Sequence, residues 1–71
     1  MKEYVVIFEW ADSNYSAYVP DLPGCISTGK TIVETEVNIR EAIELYIDTL
    51  KEDDQPVPPP SIQSKAILVQ A

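Results

Sequence analysis

Any chemistry in this chain has to be built from carboxylates. Its 71 residues include 12 Asp and Glu, one cysteine and no histidine. Without an imidazole, no Cys–His or Ser–His nucleophilic device can be assembled within the chain. Neither a Gly-rich phosphate loop nor Cys/His metal-ligand spacing is present. What remains is a divergent two-metal nuclease, in which acids hold the cations that stabilise the attacking and leaving oxygens. The candidates are Glu9, Asp12 and Asp21, on the first strand, a hairpin turn and a Pro-rich corner. Each has a plainer role as strand-end charge, turn former or turn cap, and no spacing groups them. The reading is a non-enzyme, with no catalytic residue, cofactor or metal expected. Cys25 reads as a small apolar residue at the start of a strand, and a lone cysteine suits a reducing compartment.

The elements that would position these groups are organised around one corner, Tyr18-Val19-Pro20-Asp21-Leu22-Pro23-Gly24-Cys25. Pro20 and Pro23 fix φ and lack an N–H, Asp21 forms an Asx-type turn, and Gly24 is placed to take positive φ. Before the corner, Lys2–Trp10 alternates as a strand, with Tyr4, Val6 and Phe8 on one face and Val5 and Ile7 on the other. Residues 11–14 form a turn in which Asn14 tolerates positive φ, and Tyr15–Val19 returns as the second strand of a hairpin. After the corner, Cys25–Thr28 is a short third strand and Gly29 a second turn.

A helix is expected from Thr31 to Leu50 or Lys51. Thr31 and Glu34 form a capping box, each satisfying the other's free N–H. Ile32, Thr35, Ile39, Ala42, Ile43, Tyr46, Ile47 and Leu50 form the buried stripe, Glu36 pairs with Arg40, and Glu34, Glu41, Glu44 and Asp48 lie outside. Val33 and Val37 sit among those acids, away from the stripe. With Glu34, Glu41 and Asp48 they are the candidate partner-binding residues. The alternative is the open face of the sheet, with Val5, Ile7, Ser16 and Tyr18. Acids near Glu52 oppose the helix dipole and suggest fraying. Pro56–Pro60 reads as a stiff connector to a final strand, Ala66–Val69. The order β-β-β-α-β makes an α+β fold, a mostly antiparallel sheet with one helix on one face.

At this length one domain, 1–71, is expected, and a small core favours self-association. The net charge of −7 disfavours direct nucleic-acid binding, which needs clustered Lys and Arg, and points to a basic protein partner. No signal peptide or membrane-spanning stretch is visible, so a cytoplasmic protein is expected.

The corner motif, then Ser27, Gly29 and Thr31, then Glu34, Asn38, Glu41, Ala42 and Tyr46 on the helix, resembles the HicB family of antitoxins. The structural part of that motif is Pro20, Asp21, Leu22, Pro23, Gly24, Cys25, Gly29 and Thr31. The resemblance runs from about Tyr4 to Ser61 and implies a partial ribonuclease-H-like fold, usually without nuclease activity. It also implies a small basic HicA-type toxin that cleaves mRNA as partner, and assembly as a homodimer or tetramer. Many relatives carry a C-terminal DNA-binding domain; this chain is expected to be a short form without one. Lys30 and Thr35 stand where relatives more often have Asp and Ala. Besides the antitoxin reading, an orphan homo-oligomer binding another protein or a small ligand stays open, as does the nuclease.

Overall fold

Side-chain alternation places Tyr4, Val6 and Phe8 on the same side of the hairpin as Ala17 and Val19, and this side carries the core. The computed structural model describes all of Met1–Ala71. It has three strands, β1 (Ile7–Ala11), β2 (Asn14–Tyr18) and β3 (Ile26–Gly29), followed by one helix, α1 (Ile32–Glu52). The strands form an antiparallel meander in the order β1-β2-β3, with Ile7 opposite Tyr18 and Tyr18 opposite Ile26. The helix lies on one face, so the architecture is α+β as expected. Ala17, Val19, Leu22, Cys25 and Ile39 are buried, and Tyr4, Val6, Phe8, Ala42, Ile43 and Tyr46 pack around them. Ile32, expected in the buried stripe, is exposed at the first turn of α1.

The structure corrects several boundaries. The ladder of β1 begins at Ile7, not Lys2, because its partner β2 ends at Tyr18 and the chain then turns through Pro20, which has no N–H to offer. In the hairpin the positive φ falls on Asp12 (+62°), not Asn14. Ser13 N–H bonds to the Ala11 carbonyl at 2.6 Å, which makes a γ-turn centred on Asp12. β3 starts at Ile26, because Cys25 belongs to the corner. There Leu22 N–H donates to Val19 O (3.0 Å), Cys25 N–H to Leu22 O (3.0 Å) and Val19 N–H to Cys25 O (3.2 Å). These bonds close the loop around the buried Leu22.

Gly24 takes φ +82° and a Cβ there would meet nothing within 4 Å, so its requirement is conformational. Gly24→Val is expected to cost about 1–3 kcal/mol through backbone strain alone, measured by denaturant unfolding. Gly24→Asn, better suited to positive φ, should cost clearly less. Equal losses for the two would remove the argument.

At its start α1 is capped as the sequence suggests, with one shift. Thr31 Oγ accepts from Glu34 N–H at 3.0 Å, but the Glu34 carboxylate accepts from Lys30 N–H at 2.7 Å, one residue before the cap. Glu36 and Arg40 pair at 3.5 Å on the exposed face, an arrangement that contributes little. At the other end the helix does not fray at Glu52. Gln55 N–H bonds to Leu50 O (2.8 Å) and Asp54 N–H to Lys51 O (3.2 Å), with Asp54 at φ +54°. This is a Schellman closure with an Asp in the usual glycine position.

The expected fourth strand does not form. Residues 53–71 carry no strand, and Ala66–Val69 lies outside the sheet. The physical reason is its root: Asp21 holds Ser61 and Ile62 at the end of the sheet, past β1, and the chain beyond leads away from it. Within one chain the sheet is therefore three-stranded, in the order β1-β2-β3.

Candidate partner-binding surface

The residues of the corner-to-helix motif work as struts. Asn38 Nδ2 donates to Thr28 O at 2.8 Å, tying α1 to β3. Tyr46 Oη donates to Pro23 O at 2.9 Å, tying the same helix to the corner. Thr35 is fully buried and its hydroxyl donates to Thr31 O at 2.6 Å, so no polar atom is left unpaired at this core position. Tyr4 Oη donates to Pro58 O and holds the connector beneath β1.

Asp21 clamps the connector. One carboxylate oxygen accepts from Ser61 N–H (2.8 Å) and Ile62 N–H (3.1 Å), the other from the Ser61 hydroxyl (2.6 Å). The Ser61 hydroxyl and then the Ser61 N–H hold the carboxyl below its ordinary value near 3.8; desolvation opposes them, and Ile62 N–H adds to them. Because the folded state favours the ionised form, the clamp is complete above the unfolded value near 3.8. It is lost as pH falls through the lower folded value. The Ser61 and Ile62 amide resonances are expected to titrate with a midpoint below 3.8, followed by two-dimensional NMR. A midpoint at or above it would contradict the clamp.

The three acids considered for metal chemistry are not brought together. Asp12 is at the hairpin turn, Asp21 at the opposite end of the same hairpin, and Glu9 opposite Ser16 on the sheet face away from the helix. No three of the chain's acids and its cysteine cluster closely enough to share a cation. Cys25 is buried, and burial pushes its thiol up from its ordinary value, the condition of an unreactive thiol.

The helix presents two different flanks. Across the outer face of α1, Val33, Val37, Glu41 and Leu45 follow at spacing four, and of these Leu45 borders the β3 side. Val33, Val37 and Leu45 are 75%, 51% and 68% exposed. Leu45 borders a groove of about 440 Å³ with Ile26, Ala42 and Tyr46, and Ile26 is itself exposed. Glu41 and Asp48, at i−4 and i+3 from Leu45, flank it on the helix surface. On the β1 side, Val6, Phe8, Ile39, Ile43 and Ile47 line a larger groove of about 800 Å³.

Of the candidate residues, Val33, Glu34, Val37, Glu41 and Asp48 all lie exposed on α1, though Glu34 is also engaged in the cap. Leu45 completes the apolar part of this surface and was missed by the sequence reading, as was Ile26, which borders the groove from the strand face it shares with Tyr18. The signal for Leu45 was available, since it continues the spacing of Val33, Val37 and Glu41. Ile26 carried none, because only the pairing of β3 shows which face it takes. On the open face of the sheet, Ile7, Tyr18 and Ile26 form one cross-strand row beside the polar row Glu9, Ser16 and Thr28.

No helix is long and apolar enough to cross a membrane. The chain matches the family model described as HicB-like antitoxin of bacterial toxin–antitoxin systems over residues 4–68. It is 45% identical over 58 residues to a UPF0150 protein of Thermoplasma acidophilum, covering 82% of this chain and 84% of that one. It is 43% identical over 67 residues to a UPF0150 protein of Synechocystis, covering 93% and 85%. An uncharacterised 14.9 kDa protein of Haemophilus phage HP1 is 40% identical over 55 residues, 78% of this chain but 41% of the phage protein. The match spans the hairpin, the strutted corner, the capped helix and the trailing segment together, and the chain belongs to the HicB-like antitoxin family of toxin–antitoxin systems.

Proposed function

We propose that this protein is a cytoplasmic antitoxin that binds and neutralises a small basic HicA-type mRNA-cleaving toxin. The observation that carries this reading is the outer face of α1, where Val33, Val37 and Leu45 are exposed on the same helix surface as Glu34, Glu41 and Asp48, and the groove beside Leu45 is lined by no basic residue. A basic RNA-binding surface meets complementary charge there and an apolar anchor, Leu45, at the centre. Glu41 and Asp48 flank that anchor, Val37 and Val33 continue the ridge toward the helix start, and Glu34 adds charge there. The protein acts by covering the toxin, not by catalysis, and contacts no nucleic acid directly.

The test is co-expression with a small basic toxin encoded beside it, scored by growth and by binding in a calorimeter at two salt concentrations. Neutralisation is expected, with affinity falling as salt rises. Leu45→Asp should weaken binding by about 30-fold or more, while its circular dichroism stays unchanged. Full neutralisation by the Leu45→Asp variant would move the interface elsewhere, and failure of the wild-type chain to neutralise the toxin would reject the reading.

A further inference from the structure

We propose that Ala66–Val69 is a fourth strand completed only in trans, on the free edge of β1 in a second copy, where it closes the groove between β1 and α1. This specifies the contact by which the protein self-associates and does not depend on the toxin.

Two features of one chain are unfinished in complementary ways. The first is the edge of β1. β1 is paired on one side only, and Tyr4, Val5 and Val6, half-buried just ahead of the ladder, have no backbone partner among the loop hydrogen bonds. Beside this edge Val6, Phe8, Ile43 and Ile47 line the groove of about 800 Å³, which Val57 of the connector borders. Half-buried backbone groups without partners and an apolar groove beside them are what an added strand satisfies.

The second feature is the segment itself. Ile67, Leu68 and Val69 are 73%, 100% and 71% exposed, so this part of the chain touches almost nothing. Apolar residues follow one another here, so both faces of a strand would be apolar, which fits a place with the helix groove on one side. Three successive exposed aliphatic residues are otherwise a liability in a free chain.

The path of the connector makes the pairing intermolecular. From the end of α1 it passes β1, where Tyr4 holds Pro58, and is then fixed by Asp21 at Ser61 and Ile62. Asp21 follows β2, on the side of β1 opposite its free edge. The connector touches its own groove only at Val57, is drawn from there to Asp21, and leaves Ile67, Leu68 and Val69 exposed rather than seated on β1. A second copy placed about a twofold axis offers its groove to this segment and receives the same in return, an isologous exchange.

Charge favours this site over the other flank. Two chains of net charge −7 repel. Around the β1-side groove, however, Lys2, Arg40 and Lys51 balance Glu3, Glu36 and Glu44. The groove is locally neutral, so two acidic copies can meet there, while the acidic outer face of α1 stays free for a basic partner.

The experiment is sedimentation of the full chain over a dilution series, with Leu68→Asp and Ala66→Pro as variants. The expected result is a two-chain species whose dissociation constant rises about 30-fold or more in Leu68→Asp. Ala66→Pro, which removes a ladder N–H but keeps the apolar surface, should also weaken it. Leu68 is fully exposed in one chain, so its loss does not unfold the monomer, which circular dichroism verifies. In a mixture of isotope-labelled and unlabelled chains, filtered NOEs should connect Ile67, Leu68 and Val69 methyls to those of Val6, Ile43 and Ile47 in the other copy. A monomer at all concentrations, an association indifferent to both variants, or NOEs confined to one chain would each overturn the proposal. None of these measurements involves the toxin, so a failed neutralisation assay leaves them interpretable.

Discussion

Leu22→Ala is expected to cost about 3–5 kcal/mol of stability, the largest single effect in the molecule. Leu22 is fully buried although it sits in a turn between Asp21 and Pro23. It plugs the centre of the corner, and the loop bonds of Val19, Leu22 and Cys25 hold the backbone around it. The surrounding loop is constrained by two prolines, so the cavity left by alanine cannot collapse, which puts the cost toward the upper part of the usual range. A 71-residue domain has a total stability of about 4–11 kcal/mol, so the variant should be largely or marginally unfolded. Chemical denaturation followed by tyrosine and tryptophan fluorescence measures this. A loss below about 1 kcal/mol would show that the corner is not part of the core.

The second large effect is Gly29→Ala. A Cβ at Gly29 would lie 2.5 Å from Thr35 Oγ1, 2.8 Å from Thr35 N and 3.0 Å from Thr35 Cα. Its φ is not in the positive range, so the glycine is required for closeness, where the first turn of α1 rests on the end of β3. Thr35 cannot step aside: it is buried, and its hydroxyl is committed to Thr31 O at 2.6 Å. The expected loss is about 1–3 kcal/mol. Thr35→Ala removes only the hydroxyl from the clash and leaves the backbone contacts. The double variant should therefore be less destabilised than the sum of the singles by about 1 kcal/mol in a double-mutant cycle. Strict additivity would mean that the two residues do not press on each other.

These two sites mark different limits of reading by pattern. By pattern Gly29 reads as a turn former and Thr35 as one residue of the buried helix stripe. Their real connection is a contact between β3 and α1 that no local window contains. The same holds for Leu22, whose burial is invisible when a Pro-Asp-Leu-Pro-Gly stretch is read as a surface loop.

The trailing segment shows the opposite limit. Local pattern identifies Ala66–Val69 as a strand, because consecutive aliphatic residues flanked by polar ones carry that signal. A strand exists, however, only where an edge is within reach, and reach is set by where Asp21 holds the connector. The sequence of the segment speaks to what it would be, and the path of the chain to where it can go.

What the sequence by itself determined is most of the local structure: the hairpin, the positive φ of Gly24, the Thr31 cap, the Glu36–Arg40 pair and the acidic balance. Each follows from residues within a few positions of one another, where backbone sterics, capping and charge act directly. Its motif also carried the family. Tertiary structure alone decided the rest: that Leu22 is core, that Gly29 admits no Cβ, and that Asp21 clamps Ser61. It also set Leu45 and Ile26 at one groove and left β1 with an open edge. All of these depend on contacts between residues far apart in the chain, brought together only when helix and sheet pack.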